Sequence, residues 1–325
     1  MKYMNDQSFK NVVIMYPNAE KLEYPFKDPF QDAYIKRLAI ELKKININFF
    51  VSVWQVFSET NNTFYFAWAL ENNEWVKKEF ISADLVYDRT GSFKEDNIHL
   101  DRILKIKKVA TIINTTELRL AIGSKVKQVE LFSEWIPKTW EVSSEEELQK
   151  VISNYKKELI VAKPIYGYGG YGVSVIKKEE CKDIELEYPY LLQEFVSGEI
   201  KIPGTDIVGI ADIRLVYVAG EFSYSFSRLA AEGSYLTNVA QGATPIWVAH
   251  KDVPKKALEI AQTINDRLSQ FGLTEISIDF MFEGDRVIVV EVNTKPGVSS
   301  IMQMGNETEI QKNINLQIKL IKAYL

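Results

Sequence analysis

Short apolar runs alternate with amphipathic stretches along the first third of the chain, which predicts an α/β arrangement. Residues 11–16, NVVIMY, form a brief apolar run rich in β-branched side chains and read as a buried strand. In 28–45, Phe30, Tyr34, Leu38 and Leu42 recur at helical spacing. Residues 48–57, NFFVSVWQVF, read as a second strand. Strand, helix, strand predicts a parallel βαβ unit. FYFAWAL and EWVKKEFI predict a hairpin around ENNE, and DLVYDRT a strand ending near Asp88 and Arg89. Residues 101–114 predict a helix and a short strand that closes at Asn114.

Residues 115–132 read as one helical segment and IPKTWEV, 136–142, as the entry to a strand. SSEEELQKVISNY opens with Ser144 three residues before Glu147, the spacing of a capping box. ELIVAKP and GVSVIKK read as strands flanking a glycine-rich loop, and YPYLLQEFV as a strand running into a hinge. From about residue 206 strands dominate: IVGIADIRLVYVAG, EFSYSFSRLA, then a hairpin over 274–293. Amphipathic helices are expected at 253–273, with Leu258, Ala261, Ile264 and Leu268 on one side, and at 307–325. The pattern implies an N-terminal Rossmann-like α/β unit over 1–115, a central unit over 116–197 and a C-terminal unit over 198–325.

Composition narrows the chemistry. A chain of 325 residues exceeds one compact core, which agrees with several units. No run reaches the roughly 18–20 apolar residues of a membrane span. MKYMNDQSFKN has no apolar signal core, so a cytoplasmic chain without membrane partners is expected. A single cysteine, Cys181, allows no intrachain disulfide and no multi-cysteine zinc site. The net charge of -5 argues against a broad nucleic-acid footprint. The two histidines, His99 and His250, sit far apart and outside any metal motif. The chemistry therefore rests on Lys, Arg, Asp, Glu, Asn and backbone amides.

KPIYGYGGYGV, 163–173, satisfies the dinucleotide pattern through Gly167, Gly169 and Gly172. That fingerprint needs a helix after the glycines, because the helix N-terminus receives the pyrophosphate. Val173, Ser174, Val175 and Ile176 follow instead, a strand by propensity. A nicotinamide enzyme is therefore disfavoured. Glycine amides between two antiparallel strands can close over phosphates, with Lys163 on the preceding strand in reach of them. An ordinary glycine-rich hairpin with a solvated lysine fits the same residues.

ISIDFMFEGDRVIVVEVNTKPG, 276–297, supplies a second constellation. Glu291 and Asn293 are two apart and share one face of a strand. A turn about Asp285 sets Asp279 opposite Glu291. Two facing carboxylates repel without a cation, and this set offers hard oxygen ligands of the kind Mg²⁺ takes. A solvated acidic hairpin is the competing reading. Apolar Ile278, Phe280, Val290 and Val292 around the set weaken it.

The ordered motifs resemble an ATP-grasp carboxylate–amine ligase of the glutathione synthetase and RimK-type branch, most closely from Asn114 to Gly297. They are IIN, Ser124–Lys125, IPKT, AKPIYGYGGYGV, LLQEFV, DIRLVYVAGE with SRLA, TNVAQGA and EVNTKPG. The KPG ending is also similar to spore-coat-associated ATP-grasp proteins. The resemblance implies an ATP-grasp fold, ATP and Mg²⁺ (or Mn²⁺) as cofactors, and amide formation through an acyl phosphate. It implies ATP contacts from Lys125, Lys163, Gly167, Tyr168, Gly169 and Gly170, with Lys127 competing for the role of Lys125. Gln193, Glu194, Phe195 and Val196 would form the adenine hinge, Glu199 would meet the ribose, and Arg214 would support the site. Asp279, Glu291 and Asn293 would hold the metal, and Arg228 and Asn238 would act on the reacting groups. Gly242–Ala243 departs from the two glycines frequent in the family, which leaves that loop's dihedrals open.

By the same resemblance the substrates are amino acids, small peptides or a peptide end, including a ribosomal or carrier peptide, and the chain forms a homo-oligomer. Strand-end residues Tyr16, Asp32, Tyr87, Asp88 and Arg89 are candidates for choosing the substrate, with Arg89 free to meet a carboxylate. The rival reading is a nucleotide-binding protein that keeps the grasp and does no catalysis.

Overall fold

The computed structural model describes residues 9–17, 24–90, 98–167, 169–184 and 186–325. The first apolar run becomes β1 (Lys10–Tyr16), buried from Val12 onward. Helix α1 (Pro29–Lys43) starts where Asp28 accepts the Phe30 N–H, with proline in its first turn. Its buried face is Tyr34, Ile35, Leu38, Ala39 and Leu42. Phe30, one turn before Tyr34, is exposed instead. The helix returns the chain to β2 (Ile47–Val53), parallel to β1, which is the expected βαβ unit.

Strands β3 (Phe57–Ser58), β4 (Thr63–Glu71) and β5 (Glu74–Ile81) extend that sheet antiparallel. Asn72 and Asn73, both at positive φ, make the tight turn of the β4–β5 hairpin. Strand β6 (Leu85–Asp88) pairs with the other side of β1, and helix α2 (Ile98–Ile106) leads to β7 (Thr111–Ile113), parallel to β6. The parallel core β2-β1-β6-β7 is the Rossmann-like part of the chain.

The single helix expected over 115–132 is two, α3 (Thr116–Ile122) and α4 (Lys125–Phe132). Gly123 ends the first, and the Ser124 hydroxyl accepts the Lys127 N–H to cap the second. A four-stranded antiparallel sheet follows, ordered β10-β9-β11-β8. It comprises β8 (Thr139–Val142), β9 (Leu159–Pro164), β10 (Ser174–Lys177) and β11 (Tyr190–Glu194), with α5 (Glu145–Asn154) packed on it. Ser144 caps α5 through the Glu147 N–H, and the Glu147 carboxylate returns to the Ser143 N–H.

The third sheet is ordered β15-β14-β13-β16-β17, with β12 beside β13. Its strands are β12 (Glu199–Lys201), β13 (Val208–Val218), β14 (Glu221–Leu229), β15 (Thr244–Trp247), β16 (Glu275–Glu283) and β17 (Arg286–Asn293). Helix α6 (Lys255–Leu268) covers one face, and α3 and α4 add Leu118, Ile122 and Phe132 to the same core. After α7 (Ser299–Met304), α8 (Glu307–Tyr324) covers the other face. There Val216, Val218, Tyr224 and Phe226 pack with Ile310, Ile314 and Leu320, and with Tyr34 and Leu38 of α1. Each such side chain contributes about 1.5–3 kcal/mol on full burial. The shared core therefore fixes the N-terminal sheet against the third sheet. Among the described residues no helix is long and apolar enough to cross a membrane.

Candidate active site

The second and third sheets wall a cleft of about 120 Å³. Its lining includes Lys125, Lys163, Gly167, Gly170, Gln193 to Val196, Arg228, Asn238, Asp279 and Glu291. Lys163 lies on β9, buried, and its Nζ donates to Gln193 Oε1 at 2.9 Å. Burial, with neighbouring Lys125 adding repulsion, pulls its pKa down to about 8. Lys125 opens α4. Its Nζ donates to the Gly167 carbonyl at 3.1 Å and stands 3.7 Å from a Glu291 oxygen. Both lysines thus face the glycine loop, and Lys127 does not line the cleft. Tyr168 lies outside the described residues.

Gln193 to Val196 line the cleft, although part of their backbone is already used. The Phe195 N–H donates to the Tyr155 hydroxyl at 3.1 Å, and its carbonyl accepts from Lys157 Nζ at 2.9 Å. Phe195 meets Tyr235 edge to face, with ring centroids 5.1 Å apart. Glu199 stands on β12, exposed and outside the residues that line the cleft.

The glycine loop touches the loop that carries Asn238. Gln241 Nε2 donates to the Gly169 carbonyl at 3.2 Å. A Cβ on Gly170, at φ +76°, would lie 2.5 Å from Asn238 Oδ1, so a side chain there would be strained and would displace the Asn238 amide. The cleft is smaller than the roughly 300–1,000 Å³ of small-molecule sites. Gly242 adopts the left-handed backbone at φ 93°, whereas Ala243 does not, so alanine is accommodated at 243 without strain.

A charged ladder forms the floor. Arg228 on β14 is the register partner of Asp212 on β13, and Arg214 is that of Asp279 on β16. Arg228 donates through Nε to Asp212 at 2.9 Å and through Nη2 to Asp212 and, at 2.8 Å, to Asp279 Oδ2. Arg214 binds both Asp279 oxygens at 2.6 Å. Burial opposes the charge on Asp279, but the two arginines outweigh it and hold its pKa below the usual carboxylate range. Burial raises that of Asp212 against the pull of Arg228. Burial likewise opposes the Arg228 charge, and Asp212 and Asp279 reverse the effect and raise its pKa.

Asp279 and Glu291 are register partners on β16 and β17, as the turn at Gly284–Asp285 predicts. Asn293 Nδ2 donates to Glu291 Oε2 at 3.1 Å, which turns its amide oxygen away from that carboxylate. Asp279 Oδ2 accepts two hydrogen bonds and Oδ1 accepts one, so Oδ1 keeps a lone pair. Asp279 Oδ1 and the Glu291 carboxylate are hard oxygens of the kind a divalent cation takes, with waters or phosphates completing its shell, and the Asn293 oxygen joins them only after its amide turns over. Asn293 itself borders an adjoining cavity that also meets Lys125 and Glu291.

Sequence reasoning missed Asp212, Thr237, Tyr155 and Lys157. Asp212 fixes Arg228 and accepts from the Thr237 hydroxyl at 2.8 Å. The available signal was an aspartate two before Arg214 within an apolar strand. Of the residues expected to choose the substrate, Asp32 stands within α1 and Tyr87, Asp88 and Arg89 at or just after the end of β6, and these four are committed elsewhere. Asp32 accepts from Trp75 Nε1 at 2.7 Å, Asp88 pairs with Arg119, and Tyr87 and Arg89 both bind Glu275. The expected meeting of Arg89 with a substrate carboxylate therefore gives way to a buried protein contact.

Comparison with known proteins shows the family and the fold. The family profile described as prokaryotic glutathione synthetase, ATP-grasp domain, matches residues 125–306, more than half of the chain. A probable alpha-L-glutamate ligase from Shewanella loihica is 26% identical over 189 residues, covering 55% of this chain and 58% of that protein. The chain thus covers less than two thirds of that relative. The endospore coat-associated protein YheC of Bacillus subtilis is 24% identical over 292 residues, covering 74% of this chain and 78% of that protein. The structure of the ATP-grasp ligase PsnB complexed with a minimal precursor superposes with a TM-score of 0.58 at 14% identity. It covers 96% of this chain and all of that one, a likeness of fold.

Proposed function

The chain belongs to the prokaryotic glutathione synthetase ATP-grasp family, and on that premise we propose that it is an ATP-dependent carboxylate–amine ligase. It joins the carboxylate of an amino acid, small peptide or peptide end to an amine, through an acyl phosphate, and releases ADP and phosphate. The observation that carries this reading is the convergence of Lys125, Lys163, Arg228, Asp279 and Glu291 on one cleft.

In this reading the base lies against Phe195 and Val196, and Lys125 and Lys163 face the phosphates under the glycine loop. Asp279, Glu291 and Asn293 would hold Mg²⁺, which supplies charge neutralisation at the phosphates when bound. Arg228, fixed by Asp212, presents a preorganised positive charge where the acyl phosphate develops. Asn238 stands beside the glycine loop on the substrate side. No side-chain nucleophile is needed: catalysis is positioning and charge stabilisation. The glutamate ligase relative and the precursor-bound PsnB support an amino-acid or peptide substrate.

The test is phosphate release from Mg²⁺-ATP with amino acids and short peptides, singly and in pairs, followed by mass spectrometry. Release that needs two substrates, with a product one water lighter than their sum, supports the ligase. ATP binding without release for any pair favours the nucleotide-binding protein without catalysis.

A further inference from the structure

Beyond the residues that line the cleft, we propose that Arg89, with Asn114, is a positioning residue that sets the turn following the metal-ligand candidates. Both come from the N-terminal sheet, and both reach residues 294–296, directly after Glu291 and Asn293. Arg89 follows β6 and is buried, 4% exposed. Its Nη1 donates to Glu275 Oε2, and its Nη2 donates to the Pro296 carbonyl. Asn114 is wholly buried at a left-handed φ of 34°, a backbone that asparagine tolerates better than most residues. Its Nδ2 donates to the Thr294 carbonyl at 2.6 Å and to the Glu275 carbonyl at 2.7 Å. Its Oδ1 accepts the Glu275 N–H at 2.8 Å.

Glu275 is therefore the common anchor. It opens β16, four residues before Asp279, and its carboxylate also receives Tyr87 and Gln317. One buried cluster thus fixes the start of the strand that bears Asp279 and two carbonyls of the turn that leaves Asn293. A ligand oxygen on β17 keeps its place only if the turn after it does, and groups behind a metal site set its affinity in this way. Arg89 acts through Pro296 and touches no reacting atom. The metal half of the proposal rests on the ligase reading, and the anchoring of the turn does not.

Amide hydrogen exchange over 294–298 is compared, without nucleotide, in the wild type, Arg89→Lys and the doubly neutral Arg89→Met/Glu275→Gln. Mn²⁺ binding to the ADP-loaded proteins is read by paramagnetic resonance. The double variant removes both buried charges together, so neither is left without its partner. Both variants are expected to fold, exchange several-fold faster in this turn, bind Mn²⁺ roughly tenfold more weakly and bind ADP without metal as the wild type does. Unchanged exchange in both variants, or failure of both to fold, overturns the positioning role. Faster exchange with wild-type Mn²⁺ affinity overturns its metal half. A looser turn in the variants, beside a wild type that binds no Mn²⁺ with ADP, supports the anchoring and sinks the ligase reading.

Discussion

Arg228 bridges two buried aspartates, giving Nε to Asp212 at 2.9 Å and Nη2 to Asp279 at 2.8 Å. The guanidinium is thereby fixed before any substrate arrives, with Thr237 on the same Asp212 carboxylate. Removing the charge strands the buried Asp212 carboxylate, while Asp279 keeps Arg214, so Arg228→Met should lose about 3–5 kcal/mol of stability. Arg228→Lys keeps the charge and loses the fork, and should lower kcat about 10²–10³-fold with little change in ATP affinity. Denaturant titration and steady-state kinetics check the pair. A lysine variant at wild-type kcat would remove Arg228 from the chemistry.

Glu291 is more exposed than its partner Asp279 and has no arginine among its described contacts. Glu291→Gln should therefore disturb the fold little and abolish Mg²⁺-dependent ATP turnover. Thermal unfolding and phosphate release measure the two effects. Undiminished turnover in the variant would exclude a metal role for Glu291.

In the proposed reading, Lys163 links nucleotide binding to protons. Folded, it titrates near 8 against 10.5 ordinarily, because burial and Lys125 disfavour its charge. The unfolded chain thus holds more protons between these values. The cost to stability is complete below about pH 8 and is relieved as pH rises toward 10.5. Phosphates favour the charged lysine, so ATP binding above pH 8 should take up a proton and weaken as pH climbs. Calorimetry in buffers of different ionisation enthalpy reads the uptake. Lys163→Met should lose it, and equal uptake in that variant would contradict the assignment.

Gly170 holds φ +76° against Asn238. Gly170→Ala adds about 1–2 kcal/mol of backbone strain and drives a methyl into the Asn238 amide. Turnover should fall while the protein stays folded, as rates and circular dichroism can show together. A fully active alanine variant would mean that the loops do not meet during the reaction.

The parts legible in the sequence were those fixed by near neighbours. The β1–α1–β2 unit follows from periodicity, and the Asp279–Glu291 pairing follows from alternation about one tight turn. The break at Gly123–Ser124 was hidden because helical spacing continues across it, and α7 is too short for any period to show. Arg89 was misjudged for a different reason. Its partner Glu275 lies 186 residues away, and only the packing of α1 and α8 on the third sheet brings them together. Asp212 was overlooked because one acid within an apolar strand announces no partner until β14 is laid beside it.

The acyl phosphate is the centre of the account, and hydroxylamine traps it without knowledge of the natural amine. Single amino acids and short peptides are incubated with Mg²⁺-ATP, hydroxylamine and the protein, and hydroxamate is measured beside ADP and phosphate. The account predicts hydroxamate equal to ADP for at least one acid, and none with Glu291→Gln. ATP bound in the cleft, with no hydroxamate from any amino acid or peptide, would contradict it.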